Sequence, residues 1–415
     1  MHATASNTAP PSESAATPLA GIRVIELDHM VMGPSCGLVL ADLGADVIKV
    51  EPLPNGDKTR RLTGSGAGFF VTYNRNKRSI AVDLTKPEGT AVVHRLAARS
   101  DVLIENLRPG SVERMGLGYE DLAAANPRLV YCSMKGFLPG PYENRTALDE
   151  VVQMMGGLAY MTGPPGRPLR AGASVNDVMG GMFAAIAVLA ALRQRDRDGK
   201  GQLVRAGLFE NNVFLMGQHM AQYAVSGKPP APMPARLAAW AIYDVFTTAE
   251  GEPLFLGVVT DTQWRAFCTH FGLTDLLADP GLASNTQRVA ARDRLLPAVA
   301  SLCAARPKAE LMEVFERLGL PYAPIARPED LFDDPHLNAS GGLVDLTLPN
   351  GARTRLPALP VEIGGRRPGV YRDVPRPGEH TRDILAELGS GDEEIERLAA
   401  EGVIGPPLDN DGPRS

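Results

Sequence analysis

Two aspartates carry most of the chemical interest in this 415-residue chain. Asp149 and Asp177 lie on either side of the turn-rich stretch Gly163-Pro164-Pro165-Gly166-Arg167-Pro168, and Asp177 stands just before Gly180-Gly181 and an Ala-rich run over 182–192. An aspartate at a helix start is ordinarily an N-cap, and that reading stays open for Asp177. The position also has a chemical consequence. Free N–H groups and the helix dipole hold a carboxylate ionised, which keeps it usable as a nucleophile at neutral pH. The paired glycines would leave room for a bulky acyl group. The residues by themselves give a candidate nucleophile and no reaction.

Other chemistries find little support. The first loop reads Met32-Gly33-Pro34-Ser35-Cys36-Gly37, without the three glycines that bring backbone to a pyrophosphate, although Glu51 ends the second strand where a ribose ligand would be expected. Gly64-Ser65-Gly66-Ala67-Gly68 follows no strand pattern and reads as a flexible loop. The seven histidines are dispersed and no pair stands at i, i+4 beside a carboxylate, so no metal site is expected. No G-x-S-x-G elbow is present for a serine nucleophile, and His29 in the first loop reads as a loop or capping residue rather than a base.

These groups need a scaffold, and the hydrophobic pattern supplies one. Strand patterns over 22–27, 47–50, 79–84, 102–105, 129–133 and 202–208 alternate with helical ones over 36–43, 88–98, 120–125, 210–226 and a long helix from about 178. Such alternation predicts an α/β sheet with helices on both faces and ligands beyond the strand carboxyl ends. The Pro-rich segment 227–236 is the clearest linker, because GKPPAPMP cannot hold a helix or central strand. The expected organisation is a disordered leader (1–18), the first part of a large domain (19–226), the linker, a small domain (237–329), the C-terminal part of the large domain (330–402) and a flexible tail (403–415). A net charge of −6 with 22% charged residues lacks the basic footprint of a nucleic-acid binder. Cys36, Cys132, Cys268 and Cys303 are scattered, as expected of reduced core residues in a cytoplasmic protein. No apolar run reaches the roughly 18 residues of a membrane span, so no membrane partner is expected.

Several spaced motifs then resemble the family III CoA-transferases, also called the CaiB/BaiF family. They are Gly21-Ile22-Arg23-Val24-Ile25-Glu26, Gly33-Pro34, Leu43-Gly44-Ala45-Asp46-Val47-Ile48-Lys49-Val50-Glu51, Asn76-Lys77-Arg78-Ser79-Ile80, Pro109-Gly110 and Arg114-Met115-Gly116-Leu117-Gly118-Tyr119. Lys135-Gly136-Phe137, Gly156-Gly157-Leu158, Thr162-Gly163 and Gly378-Glu379-His380-Thr381 continue the series, so the likeness spans about 19–400. It implies a large Rossmann-like domain with a smaller inserted α+β domain and an interlocked homodimer. It also implies CoA transfer from an acyl-CoA donor such as succinyl-CoA to a carboxylic acid, with no permanently bound cofactor and coenzyme A as a substrate. Asp177 occupies the place of the family nucleophile, in Gly172-Ala173-Ser174-Val175-Asn176-Asp177. The resemblance puts CoA near Val82, Asn106, Leu107, Arg114 and Met115, with His29 and Asp149 supporting the substrate pocket. α-Methylacyl-CoA racemases of the same family are the alternative. They place an acid/base pair around Leu148-Asp149, and Leu148 cannot carry a proton. Val31 and Pro52 depart from the oxalate-using formyl-CoA transferase, and no glycine-rich gating loop precedes Trp240, which weighs against oxalate as acceptor.

Overall fold

The computed structural model describes residues 17–236 and 238–405. The expected leader through residue 16 and the tail beyond Gly405 lie outside the described residues. The remainder divides into two compact units. One comprises the described chain up to Pro234 and from His336 onward; the other is Ala235–Pro335.

The first unit is built on six parallel strands, β1 (Arg23–Leu27), β2 (Asp46–Glu51), β3 (Lys77–Ala81), β4 (Val102–Glu105), β5 (Val130–Lys135) and β6 (Leu203–Gly207), in the order β3-β2-β1-β4-β5-β6. The inner strands are apolar almost throughout because helices cover both faces: Ile25 pairs with Ile48 on one side and Leu103 on the other, and all three are buried. The strand order reverses direction between β1 and β4. Their carboxyl ends diverge into separate loops there and open a crevice, the usual ligand position of such sheets.

The long helix Val175–Asp198 packs along the helix Met32–Asp42 and against β5 and β6, with Ala184, Ala185, Val188 and Leu192 in the core. By length and composition it does reach that of a membrane span, against the sequence expectation, because its buried face is continuous with the alanine run. The C-terminal segment returns to the same sheet. The Gly378 N–H donates to Ser79 Oγ (2.8 Å) and the His380 N–H to the Ser79 carbonyl (3.0 Å), while Ile384, Leu385, Ile395 and Leu398 join the core. Val403 and Ile404 are buried, and Ile404 bridges Val82. The flexible tail expected from 403 is therefore packed at least through these two residues, whose apolar side chains close the edge of the core.

The second unit carries an antiparallel sheet of β7 (Ile242–Thr247), β8 (Pro253–Val258) and β9 (Tyr322–Pro324), with helices including Asp261–His270, Arg292–Ala304 and Lys308–Arg317 around Leu256, Phe267, Leu295 and Phe315. Sequence patterning does not reveal β9, which is three residues long and bounded by prolines. The unit runs to Pro335 rather than 329 because the turn Pro328–Asp333 continues it.

Candidate active site

Asp177 lies in the first turn of the helix Val175–Asp198 but does not cap it. The side chain of the N-cap residue, Ser174, makes no capping bond either. The capping group comes from another element. Asp149, only 4% exposed at the start of the helix Asp149–Met155, accepts the N–H groups of Asn176 (2.8 Å) and Asp177 (3.2 Å) on one carboxylate oxygen. Its other oxygen takes the amide of Gln153, whose own Oε1 accepts the Ala171 N–H at 2.8 Å. Arg170 approaches Asp149 to 3.9 Å and pairs with Glu150.

This arrangement reverses one expectation. The N–H groups that were to hold Asp177 ionised are already spent on Asp149. Burial, together with the charges of Asp149 and Glu150, pushes the Asp177 carboxyl up to about 7, with Arg170 acting in opposition. The glycines also serve a different purpose from the one expected. A Cβ on Gly181 would sit 2.0 Å from Ser35 Oγ, and one on Gly180 would sit 2.7 Å from the end of the Met32 side chain. They let two helices close on each other one turn beyond Asp177.

A pH dependence follows. One unit below its pKa only about a tenth of a carboxyl is ionised, so a reaction that needs the Asp177 carboxylate should run about tenfold faster near pH 8 than near pH 6, with a single inflection. Initial rates of CoA transfer across that range check it. The folded chain holds more protons at Asp177 than the unfolded chain between the ordinary carboxyl value of 3.8 and about 7, so ionisation costs stability as pH rises through that window. Asp177→Asn should accordingly raise the melting temperature more at pH 8 than at pH 5.

The loop after β1 is fixed from below. Lys49, wholly buried, pairs with Asp28 at 2.7 Å, lies 3.2 Å from Asp57 and donates to the Asp28 carbonyl at 3.0 Å. Met30 is held at φ 65°, a region a non-glycine residue rarely adopts, with its N–H donating to Thr59 Oγ1 at 3.0 Å. Asn106, just past β4, brackets the exposed His29 across the crevice: the His29 N–H donates to Asn106 Oδ1 (3.0 Å) and Asn106 Nδ2 donates to the His29 carbonyl (2.8 Å). The two residues thus face each other where the sheet order reverses.

The other expected CoA residues sit as follows. Leu107 and Met115 are partly buried against the core, and the Leu107 carbonyl accepts Lys135 Nζ at 2.7 Å. Arg114 is exposed, with one guanidinium nitrogen on Ser111 Oγ at 3.1 Å. These residues share the stretch leading from the carboxyl end of β4. Val82 does not join them. Its side chain is 0% exposed within the core cluster, so a ligand arriving from solvent cannot touch it. At the carboxyl ends of β4 to β6 a cavity of about 380 Å³ opens between Glu105, Tyr119, Tyr131, Ser133, Lys135 and Arg205.

Sequence reasoning missed Gln153, Arg170 and Tyr73. Gln153 was discoverable, because it stands four residues after Asp149 on a helical pattern. Tyr73 gave no signal: it ends the short helix Phe69–Tyr73 after the glycine-rich loop, and its phenol is pushed up by burial and by the charge of Asp177.

A family model described as CoA-transferase family III matches residues 19–381. The succinate–glutarate CoA-transferase of Agrobacterium fabrum is 37% identical, with 92% of this chain and 97% of that protein covered. The succinyl-CoA–D-citramalate CoA-transferase of Chloroflexus aurantiacus is 33% identical over 93% of this chain and 98% of its own length. Among solved structures, a CaiB/BaiF family protein from Brucella suis is 35% identical and superposes with a TM-score of 0.80, covering 90% of this chain and all of that one.

Proposed function

The chain belongs to CoA-transferase family III and is an acyl-CoA-dependent transferase; from that premise we propose that CoA passes through a thioester on Asp177. The observation that carries this reading is the Asp177 carboxyl itself, set in the first turn of the long helix and pushed up to about 7 by burial and its neighbouring carboxylates. The carboxylate attacks the donor thioester carbon, the C–S bond breaks, and CoA thiolate leaves a mixed anhydride behind. The thiolate then attacks the Asp177 carbonyl, releasing the donor acid and forming aspartyl-CoA. An acceptor carboxylate attacks that carbonyl and frees the thiolate again. The thiolate takes the acceptor acyl carbon and regenerates the Asp177 carboxylate. No net proton is consumed, so the site needs no permanent acid.

We take succinyl-CoA as the donor and a short dicarboxylic acid as the acceptor, on the strength of the relatives' substrates. CoA would occupy the crevice at His29 and Asn106, with Leu107, Arg114 and Met115 alongside and Asp149 supporting the pocket. The residues 235–335 then form the inserted α+β domain. A homodimer is supported by the apolar side chains that the helices Val175–Asp198 and Leu208–Ser226 leave outside: Ile186, Met220, Tyr223, Phe214 at 72% exposure and Val225 at 89%. The four cysteines are unpaired and buried, as a cytoplasmic protein would have them.

A screen of acyl-CoA donors against organic acids, read by mass spectrometry of the CoA products, tests the function. Succinyl-CoA with a dicarboxylate should give the largest exchange. The same samples in heavy water separate transferase from racemase. Leu148, exposed at the start of the Asp149 helix, offers no proton, so 2-methylacyl-CoA should keep its α-hydrogen. Steady α-deuteration without an acceptor acid would move the enzyme to the isomerases.

A further inference from the structure

We propose that Asn211 is a positioning residue for the transfer reaction: by holding the carbonyl of Asn176 it fixes the peptide that carries Asp177. The inference rests on Asp177 being the nucleophile. Asn211 Nδ2 donates to the Asn176 carbonyl at 2.8 Å, and both residues are buried. The other end of the same peptide is the Asp177 N–H, which donates to Asp149 at 3.2 Å. The carbonyl of Asn176, the N–H of Asp177 and the two flanking Cα atoms lie in one plane. Side chains from two other helices, Asp149–Met155 and Leu208–Ser226, thus grip that plane at its oxygen and at its hydrogen. With the plane fixed, the Asp177 carboxyl keeps only the rotations of its own short side chain.

The helix that carries Asn211 is itself anchored just before it. The Phe209 N–H donates to the Gly136 carbonyl (3.0 Å), and the Glu210 carboxylate accepts the Leu138 N–H (3.2 Å). These bonds tie the start of Leu208–Ser226 to the loop after β5. Asn211 therefore reaches Asn176 from a fixed base.

The bonding of Asn211 argues against a role in stability alone. In an α-helix the Asn176 carbonyl already accepts the N–H four residues on, so the bond from Asn211 is an additional one and no oxygen would be stranded without it. Asn211 Oδ1, meanwhile, is buried with no hydrogen-bond partner among the described residues. An unpaired buried acceptor costs stability, and an apolar side chain of the same shape would avoid that cost. A polar residue kept against local stability, one peptide from the nucleophile, fits a functional role.

Asn211→Leu tests it, with Asn211→Ala beside it. Leucine keeps the branched shape of asparagine and cannot donate; alanine removes the bulk as well. We expect kcat for CoA transfer to fall about 10-fold in both, with KM for the acyl-CoA within about twofold. The single-turnover rate of acyl transfer to Asp177 should fall by the same factor, since misplacement slows the attack itself. Asn211→Leu should melt within a few degrees of wild type, because the unpaired oxygen leaves together with the donor. Equal losses in two variants that share only the missing N–H identify the bond as the cause. A loss that follows side-chain bulk, an unchanged single-turnover rate, or wild-type kcat in either variant overturns the proposal. If Asn211→Leu fails to fold, the single-turnover rate of Asn211→Ala decides in the same way. Hydroxylamine trapping on the turning-over wild type separates the two assignments. Label on Asp177 together with unimpaired Asn211 variants removes Asn211 alone, whereas turnover without label on Asp177 removes the nucleophile and this role with it.

Discussion

Asp177→Asn will lower kcat for CoA transfer by about three powers of ten or more while CoA binding and the fold persist. The amide keeps the shape of the carboxyl but cannot add to a thioester, and the loss of a covalent nucleophile ordinarily costs that much because no later step can begin. The fold should tolerate the change well, since the helix start is capped by Asp149 and not by Asp177. Removing an ionisable group from a site that resists its charge should, if anything, stabilise the protein above pH 7. Steady-state rates, CoA titration and melting curves on one preparation decide the matter. Residual transfer above about a hundredth of wild type, from protein free of wild-type contamination, would sink the covalent mechanism.

Much of the scaffold could be read from the chain because a doubly wound sheet writes itself in periods. The strand over 102–105 is observed at those residues, and the helix expected over 88–98 is observed as Pro87–Ala97, since each is a short buried run bounded by turn residues. The helix Asp392–Ala400 escaped that reading, although its acidic first turn and apolar Ile395 and Leu398 fit a helix once its packing is known. Asp177 could be singled out by type and position. Its environment could not. The capping of its helix by Asp149 spans 27 to 28 residues of chain, and no local pattern announces a bond of that separation. A helix start keeps a carboxylate ionised where its N–H groups are free. Here a second carboxylate takes them, and burial raises Asp177 unopposed by them. The same distance hid the reason for Gly180 and Gly181, whose neighbours Met32 and Ser35 lie far back in the sequence.

Asp149 carries the remaining large prediction, because it holds two functions that different substitutions separate. Asp149→Ala removes the acceptor for the Asn176 and Asp177 N–H groups and strands the Gln153 amide in a site that is 4% exposed. A lost cap costs about 0.5–2 kcal/mol and a stranded buried donor about 1–3 kcal/mol, so the expected destabilisation is about 2–4 kcal/mol, with activity falling as the helix start loosens. Asp149→Asn keeps an oxygen for the two N–H groups and deletes the charge, while its amide nitrogen replaces the oxygen that accepts from Gln153, so the Gln153 amide still loses its acceptor. Burial would then be the larger surviving cause of the raised Asp177 value, and losing a neighbouring negative charge can only move it down. The sign is fixed by that argument: the inflection in the pH–rate profile should shift from about 7 toward acid, and the ratio of the rate near pH 6 to that near pH 8 should rise from about a tenth toward unity. The plateau at high pH should drop modestly, because a less basic carboxylate is a poorer nucleophile. A smaller loss of melting temperature for Asp149→Asn than for Asp149→Ala, together with an acid-shifted profile in the former, would show that Asp149 both builds the helix start and sets the proton affinity of Asp177. An unmoved inflection in Asp149→Asn would mean that burial and Glu150 raise Asp177 without it, leaving Asp149 as a cap and nothing more.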